Sequence, residues 1–169
     1  FKQLVKEAHK REIKVMIDFP LTISPEHPWV KDPEKQNRFI IEDGNESKQE
    51  NNQSVTSPKL NMNDPETAQY VSKVAKWWLQ ETKIDGYFFS QVDQIPETFW
   101  SGLIKKINSE NKDLYIVGEL SEKASVNLRD YKNIGFTSLL VPSTTLKLRE
   151  SFKTPNHSLT KLAQDVGKI

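Results

Sequence analysis

The chain has 169 residues, 36% of them hydrophobic and 28% charged, enough for one domain with a real core. Its formal net charge of +1 supplies no strong field for nucleic acid or an anionic membrane, and the absence of cysteine excludes disulfides and thiolate metal sites. No apolar run is long enough to span a bilayer. The chain starts at Phe1, in what reads as the middle of a helix, so it is expected to be a piece of a longer protein.

In chain order, "FKQLVKEAHKRE" sets Leu4, Val5 and Ala8 on one helical face among charges. "IKVMIDF" is a compact apolar run with β-branched residues and predicts a strand over 13–19, with Asp18 near its C-terminal end. "PLTISPEHPW" is broken by prolines and reads as loop. Residues 31–57 are polar and rich in Asn, Gln, Ser and Lys, the composition of a surface insertion. N-x-S triplets occur at Asn45, Asn52 and Asn156, but such triplets arise by chance in Asn-rich sequence. Asp64-Pro65-Glu66 predicts a helix start, followed by Val71, Val74, Ala75, Trp78 and Leu79 at helical spacing. Trp77 and Trp78 are read as packing. Strands are predicted at 84–91, 114–120 and 136–143, with a helix from "PETFWSGLIKKI" and a short one around 123–131. "STTLKLRESF" and "SLTKLAQDVGKI" read as helices.

Apolar strands alternating with amphipathic helices mean parallel βα units in an α/β fold. Four strands fit either a small doubly wound sheet or half of a (β/α)8 barrel. No glycine-rich phosphate loop follows any strand, so nucleotide binding has little support. His9, His27 and His157 show no metal-ligand spacing, and no G-x-S-x-G elbow is present.

In either fold the site forms at the carboxyl ends of the strands. Those ends carry Asp18, then Ser90 to Asp93, then Glu119, then Ser143 to Thr145. Asp18 and Glu119 are candidates for a carboxylate pair, which suits glycoside hydrolysis: one acid donates a proton while the other attacks or activates water. A single acid at a strand end also caps a helix or pairs with lysine, so both readings stand.

Here the residues resemble a known family. "LVKEAHKREIKVMIDFPLTISPEHPWV" is similar to the second helix, third strand and first signature of the α-amylase superfamily of glycoside hydrolases. "SPKLNMNDPETAQYVSKVAKWWLQETKIDGYFF" resembles the stretch from an M-P-K-L-N-type motif to the nucleophile strand, on the neopullulanase and oligo-1,6-glucosidase side of the family. "IVGEL" looks like the strand of the general acid. The resemblance covers about residues 1 to 152. It implies a partial (β/α)8 TIM-type barrel holding the third to sixth strands, one segment of a single catalytic barrel over 1–169, with 24–57 as a short inserted loop domain.

The family's first signature reads D-x-x-x-N-H. Asp18 matches the Asp, while Thr22 stands for the Asn and Ile23 for the His. The nucleophile strand reads D-G-[FWY]-R-x-D, often followed by A-V-x-x-[IV]. Asp85, Gly86 and Tyr87 match; Phe88 stands for the Arg and Ser90 for the nucleophilic Asp; Val92 and Ile95 fix the register. Gly118 and Glu119 match the acid strand. By resemblance, Glu119 holds the general-acid position, Ser90 and Phe88 are substituted catalytic positions, and Asp18, Thr22, Ile23 and Asp93 are substrate-side positions.

A retaining glycosidase needs two carboxyls about 5 Å apart. A neutral serine cannot stabilise an oxocarbenium-like transition state as a carboxylate does, and Phe88 removes the cation that would keep such a carboxylate ionised. The chain is therefore expected to be catalytically inactive, with a saccharide-binding or structural role and an oligosaccharide as its ligand. One alternative is an active α-glucan hydrolase whose missing carboxylates come from elsewhere in the barrel or from Asp93. Another is a non-enzymatic amylase-like partner subunit of a membrane transporter, a role some members with these losses serve. No cofactor is implied. Calcium, which many members carry, has little support, because its Asn and Asp ligands are not recognisable. Half a barrel exposes sheet edges and apolar surface, so the chain by itself is expected to self-associate or to need the remainder of its own barrel.

Overall fold

In the computed structural model, residues 1–41, 46–48, 54–122, 124, 126–153 and 160 are described. Helix α1 (Lys2–His9) leads into strand β1 (Met16–Asp18). A short helix α2 (Pro28–Lys31) and a 3-10 turn (Pro33–Arg38) follow, then strands β2 (Phe39–Ile40), β3 (Glu46–Lys48), β4 (Ser54–Thr56) and β5 (Lys59–Leu60). The long helix α3 (Pro65–Thr82) precedes β6 (Gly86–Phe89). A 3-10 turn (Val92–Gln94), α4 (Glu97–Glu110), β7 (Tyr115–Glu119), α5 (Leu128–Ile134), β8 (Ser138–Leu140) and α6 (Pro142–Lys153) complete the order.

The main sheet is parallel, in the order β1-β6-β7-β8. The strands therefore lie in space as they do in sequence, each linked to the next through a helix. That is the winding of a barrel, whereas a doubly wound sheet reverses direction at a switch point.

Local chemistry explains the helices. Asp64 caps α3 by accepting from the Thr67 amide and hydroxyl, Pro65 needs no amide partner in the first turn, and Lys83 ends the helix in a left-handed conformation. Val71, Ala75 and Leu79 are buried from α3, and Phe99, Leu103, Ile104 and Ile107 from α4, as their spacing predicts. Trp77 is 52% exposed, while Trp78 packs against the core.

The two sheet faces differ sharply. Ile17, Tyr87, Phe89, Ile116 and Leu139 alternate onto the helix-covered face, where Tyr87 and Phe89 are fully buried among Phe19 and Trp100. Met16, Asp18, Phe88, Tyr115, Val117, Ser138 and Leu140 alternate onto the other. There Met16, Tyr115 and Leu140 are 38%, 46% and 43% exposed. A parallel sheet with one bare apolar face is what part of a barrel presents, because the barrel interior is filled only when the strands close.

Gly86 is required by close approach: a Cβ there would lie 2.1 Å from the Tyr115 carbonyl oxygen. The Gly86→Ala variant is expected to lose at least about 2 kcal/mol of stability, read from the denaturant midpoint, because the β6–β7 ladder must shift to admit the methyl. An unchanged midpoint would show that the ladder yields without cost. Gly118 is similarly crowded by the Phe136 ring.

Several expectations need correction. The strands are shorter than the apolar runs, at 16–18, 86–89, 115–119 and 138–140, since ladder pairing ends before hydrophobicity does. The helix expected around 123–131 is α5 at Leu128–Ile134, started by the Asn127 cap and stopped by Gly135 in the left-handed region. The stretch read as loop and polar insertion holds ordered elements. His27 caps the Trp29 amide at α2, Asp32-Pro33 starts the 3-10 turn, β2 pairs with β5, and β3 pairs with β4. Asn45, Asn52 and Asn156 lie outside the described residues, as does nearly all of the helix expected over 158–169.

Candidate functional site

The carboxyl ends of β1, β6 and β7 bring the predicted residues to one end of the sheet. Asp18 pairs in register with Phe88, and Phe88 with Val117. Phe89 pairs with Gly118 in the last rung of that ladder; Ser90 follows β6 as a bend, and Glu119 is the last residue of the adjacent β7. Adjacent strands lie about 4.8 Å apart, so the positions of Ser90 and Glu119 are neighbours, whereas β6 separates Asp18 from Glu119 by two such spacings. The carboxylates of Asp18 and Glu119 and the hydroxyl of Ser90 have no hydrogen-bond or ion-pair partner among the described residues. Phe88 is half-buried on this inner face, apart from the aromatic cluster behind the sheet.

An open concavity of about 210 Å³ lies at this end, lined by Asp18, Thr22, Lys59, Ser90, Gln91 and Gln94 among others. Glu119 ends the next strand and is not among the lining residues. Thr22 is exposed and bridges to Lys59, which donates to the Gln94 side chain. Ile23 does not share this setting. Its amide donates to the Pro58 carbonyl and its side chain packs against the core. Gln91 falls within the strand-end stretch Ser90 to Asp93, whereas Lys59 and Gln94 lie outside every predicted strand end. The "SPKLN" motif was a signal for Lys59, but its nearness to Gln94 is tertiary.

The loop after β6 is held firmly. Gln91 adopts a left-handed conformation (φ 52°), which is uncommon for a side chain without Asn or Asp chemistry. Val92 is fully buried, and the indole of fully buried Trp100 donates to its carbonyl at 2.9 Å. Asp93 accepts from both the amide and the hydroxyl of Ser121, each at 2.6 Å. Its carboxylate thus joins the loop after β6 to the loop after β7. Ser143 to Thr145, expected at a strand end, lie in the first turns of α6, because β8 stops at Leu140. Among the described residues no three His, Asp or Glu side chains converge as a metal site would require.

At the opposite end of β6, Asp85 accepts from the Val15 amide at 2.8 Å, His9 Nε2 at 2.7 Å and Lys14 Nζ at 3.1 Å. Burial raises its carboxyl, but these hydrogen bonds outweigh burial and hold it below the usual carboxylate range. The motif acid is thus a latch between α1, β1 and β6, far from the concavity. The sign follows from linkage: a depressed folded value adds stability that is complete above the unfolded value of about 3.9 and fades as pH falls through the folded one. Asp85→Asn is expected to flatten the acid limb of a stability profile below about pH 4. An acid limb identical to wild type would remove Asp85 from that role.

No family model matches the chain. The chain is 31% identical over 140 residues to neopullulanase 2 of Thermoactinomyces vulgaris, covering 74% of the chain and 24% of that protein. It is 25% identical over 146 residues to the intracellular maltogenic amylase of Bacillus subtilis, covering 76% and 24%. It thus spans about a quarter of the length of these curated relatives. Among solved structures, the α-amylase of Geobacillus thermoleovorans complexed with acarbose is 34% identical with a TM-score of 0.76, covering 96% of this chain and 38% of that one. An Anoxybacillus α-amylase is 31% identical with a TM-score of 0.78, covering 99% and 38%. With sequence identity and backbone agreement both present, the chain belongs to the α-amylase superfamily of glycoside hydrolases, as a segment of its (β/α)8 barrel.

Proposed function

We propose that this chain is the third-to-sixth-strand part of an α-amylase-type barrel that holds an α-glucan saccharide without hydrolysing it. The observation that carries the reading is that Ser90 directly follows β6 at the end where the adjacent β7 finishes in Glu119. At the place where a second carboxyl is needed about 5 Å from the acid, there is a neutral hydroxyl. The neighbouring inward residue is Phe88, so no guanidinium is present to pair with a nucleophile. Thr22, Ser90, Gln91 and Gln94, together with charged Asp18 and Lys59, give the concavity a hydrogen-bonding rim, the chemistry that receives sugar hydroxyls. The ligand class comes by similarity from relatives named maltogenic amylase and neopullulanase.

In this reading 24–57 is the family's inserted domain in shortened form, and the bare face of the sheet receives the remainder of the barrel. Asp93, the acid nearest in sequence to Ser90, is engaged by Ser121, which weighs against its serving as a substitute nucleophile. The test is full-length protein with maltohexaose, followed by titration calorimetry and a reducing-sugar assay. Binding without release of reducing ends supports the reading. Turnover that Glu119→Gln abolishes would overturn it.

A further inference from the structure

We propose that Asp93 is a positioning residue whose carboxylate, by clamping Ser121, sets where Glu119 stands relative to Ser90. Glu119 ends its strand, and two residues later the chain turns at Ser121, where the Ala124 amide returns to the Ser121 carbonyl. On the β8 side this strand end is anchored by the Leu120 amide donating to the Leu140 carbonyl at 3.0 Å. On the β6 side the anchor is Asp93, whose two oxygens take the Ser121 amide and hydroxyl across 28 residues of sequence. Asp93 is itself held in place, because Val92 beside it is fully buried and bonded to the Trp100 indole. The rigidity of the β6 loop is thereby passed to the loop that follows Glu119. The inference deepens the saccharide-binding reading and rests on it only for the affinity arm below.

The chemistry of the clamp separates it from a charge role. An asparagine at 93 keeps both bonds: its carbonyl oxygen accepts from the Ser121 amide, and its amino group donates to the Ser121 hydroxyl, which accepts as readily as it donates. Alanine keeps neither. If Asp93 instead contacts ligand through its charge, asparagine and alanine are equally damaging.

The test compares full-length wild type with Asp93→Ala, Asp93→Asn and Ser121→Ala by hydrogen–deuterium exchange over residues 119–122 and by calorimetry with maltohexaose. Asp93→Ala is expected to speed exchange in that segment at least about tenfold and to weaken binding by a similar factor, with Asp93→Asn within about threefold of wild type in both. Ser121→Ala keeps the amide bond and is expected to fall between them, and it supplies the comparison if Asp93→Ala does not fold. Unchanged exchange in Asp93→Ala, or in Ser121→Ala where it substitutes, would overturn the clamp. So would Asp93→Asn losing affinity as Asp93→Ala does while residues 119–122 stay protected. If wild type binds no maltohexaose, the saccharide reading fails and the exchange arm decides the clamp by itself.

Discussion

Full-length protein is expected to bind maltohexaose and leave it intact over incubations in which a working α-glucanase consumes it. Removing a covalent nucleophile costs on the order of 10⁴ to 10⁶ in kcat in enzymes where the loss has been measured. In the proposed reading the hydroxyl of Ser90 stands at that position and Phe88 stands where its cation would be. Glu119 can still deliver a proton, but a proton alone does not complete the displacement. The smallest change that returns both charges is Ser90→Asp with Phe88→Arg, and this pair is expected to raise turnover at least about tenfold over the unaltered protein. Ser90→Asp by itself is expected to give less. A new carboxylate beside Glu119, with no guanidinium to hold it ionised, would have its pKa raised by its neighbour. Equal rates for the single and double variants would show that Phe88 does not occupy the place of the missing cation.

Trp100→Ala is expected to cost about 3–5 kcal/mol of stability from the emptied ring volume. Trp100 is fully buried among Phe89, Phe99 and Phe136, so its removal opens a cavity that the neighbours cannot fill without leaving their own contacts. The Val92 carbonyl also loses its indole donor. Trp100→Phe separates the two contributions. It keeps most of the ring and is expected to cost about 1–3 kcal/mol, chiefly for the unpaired carbonyl. Denaturant unfolding of the full-length protein measures both. A Trp100→Phe variant as stable as wild type would show that the Val92 carbonyl finds another donor, and that the indole hydrogen bond is not what holds the loop bearing Ser90.

Much of the framework was legible because it repeats. Strand-like apolar runs alternate with helical spacing, and Asp64-Pro65 marks a helix start wherever it stands. The register that the resemblance assigns around Phe88 and Ser90 rests on Gly86 and Val92, which bracket them. Gly86 cannot be anything larger where the Tyr115 carbonyl passes, and Val92 is fully buried behind the loop. The short elements after β1 were not legible. Four residues of helix and two-residue strands span only about one period of the patterns that reveal them, too few for a repeat to show. Ile23 also read as a site residue by its place in a motif, yet its side chain packs against the core.

By itself, the sequence determined the order of the elements and the parallel βα class. Local spacing and residue chemistry carry both. It did not determine the task of Asp93. That depends on Ser121, 28 residues away, arriving at hydrogen-bond distance through β7. Nor did it determine which of Tyr87, Phe88 and Phe89 face the site. In a parallel strand both faces are apolar, so the composition of "GYFF" is the same whichever way it turns. Pairing with β1 and β7 sends Tyr87 and Phe89 back to the helices and leaves Phe88 beside Asp18 and Val117. Ladder register carries that information, and register exists only once the strands have met.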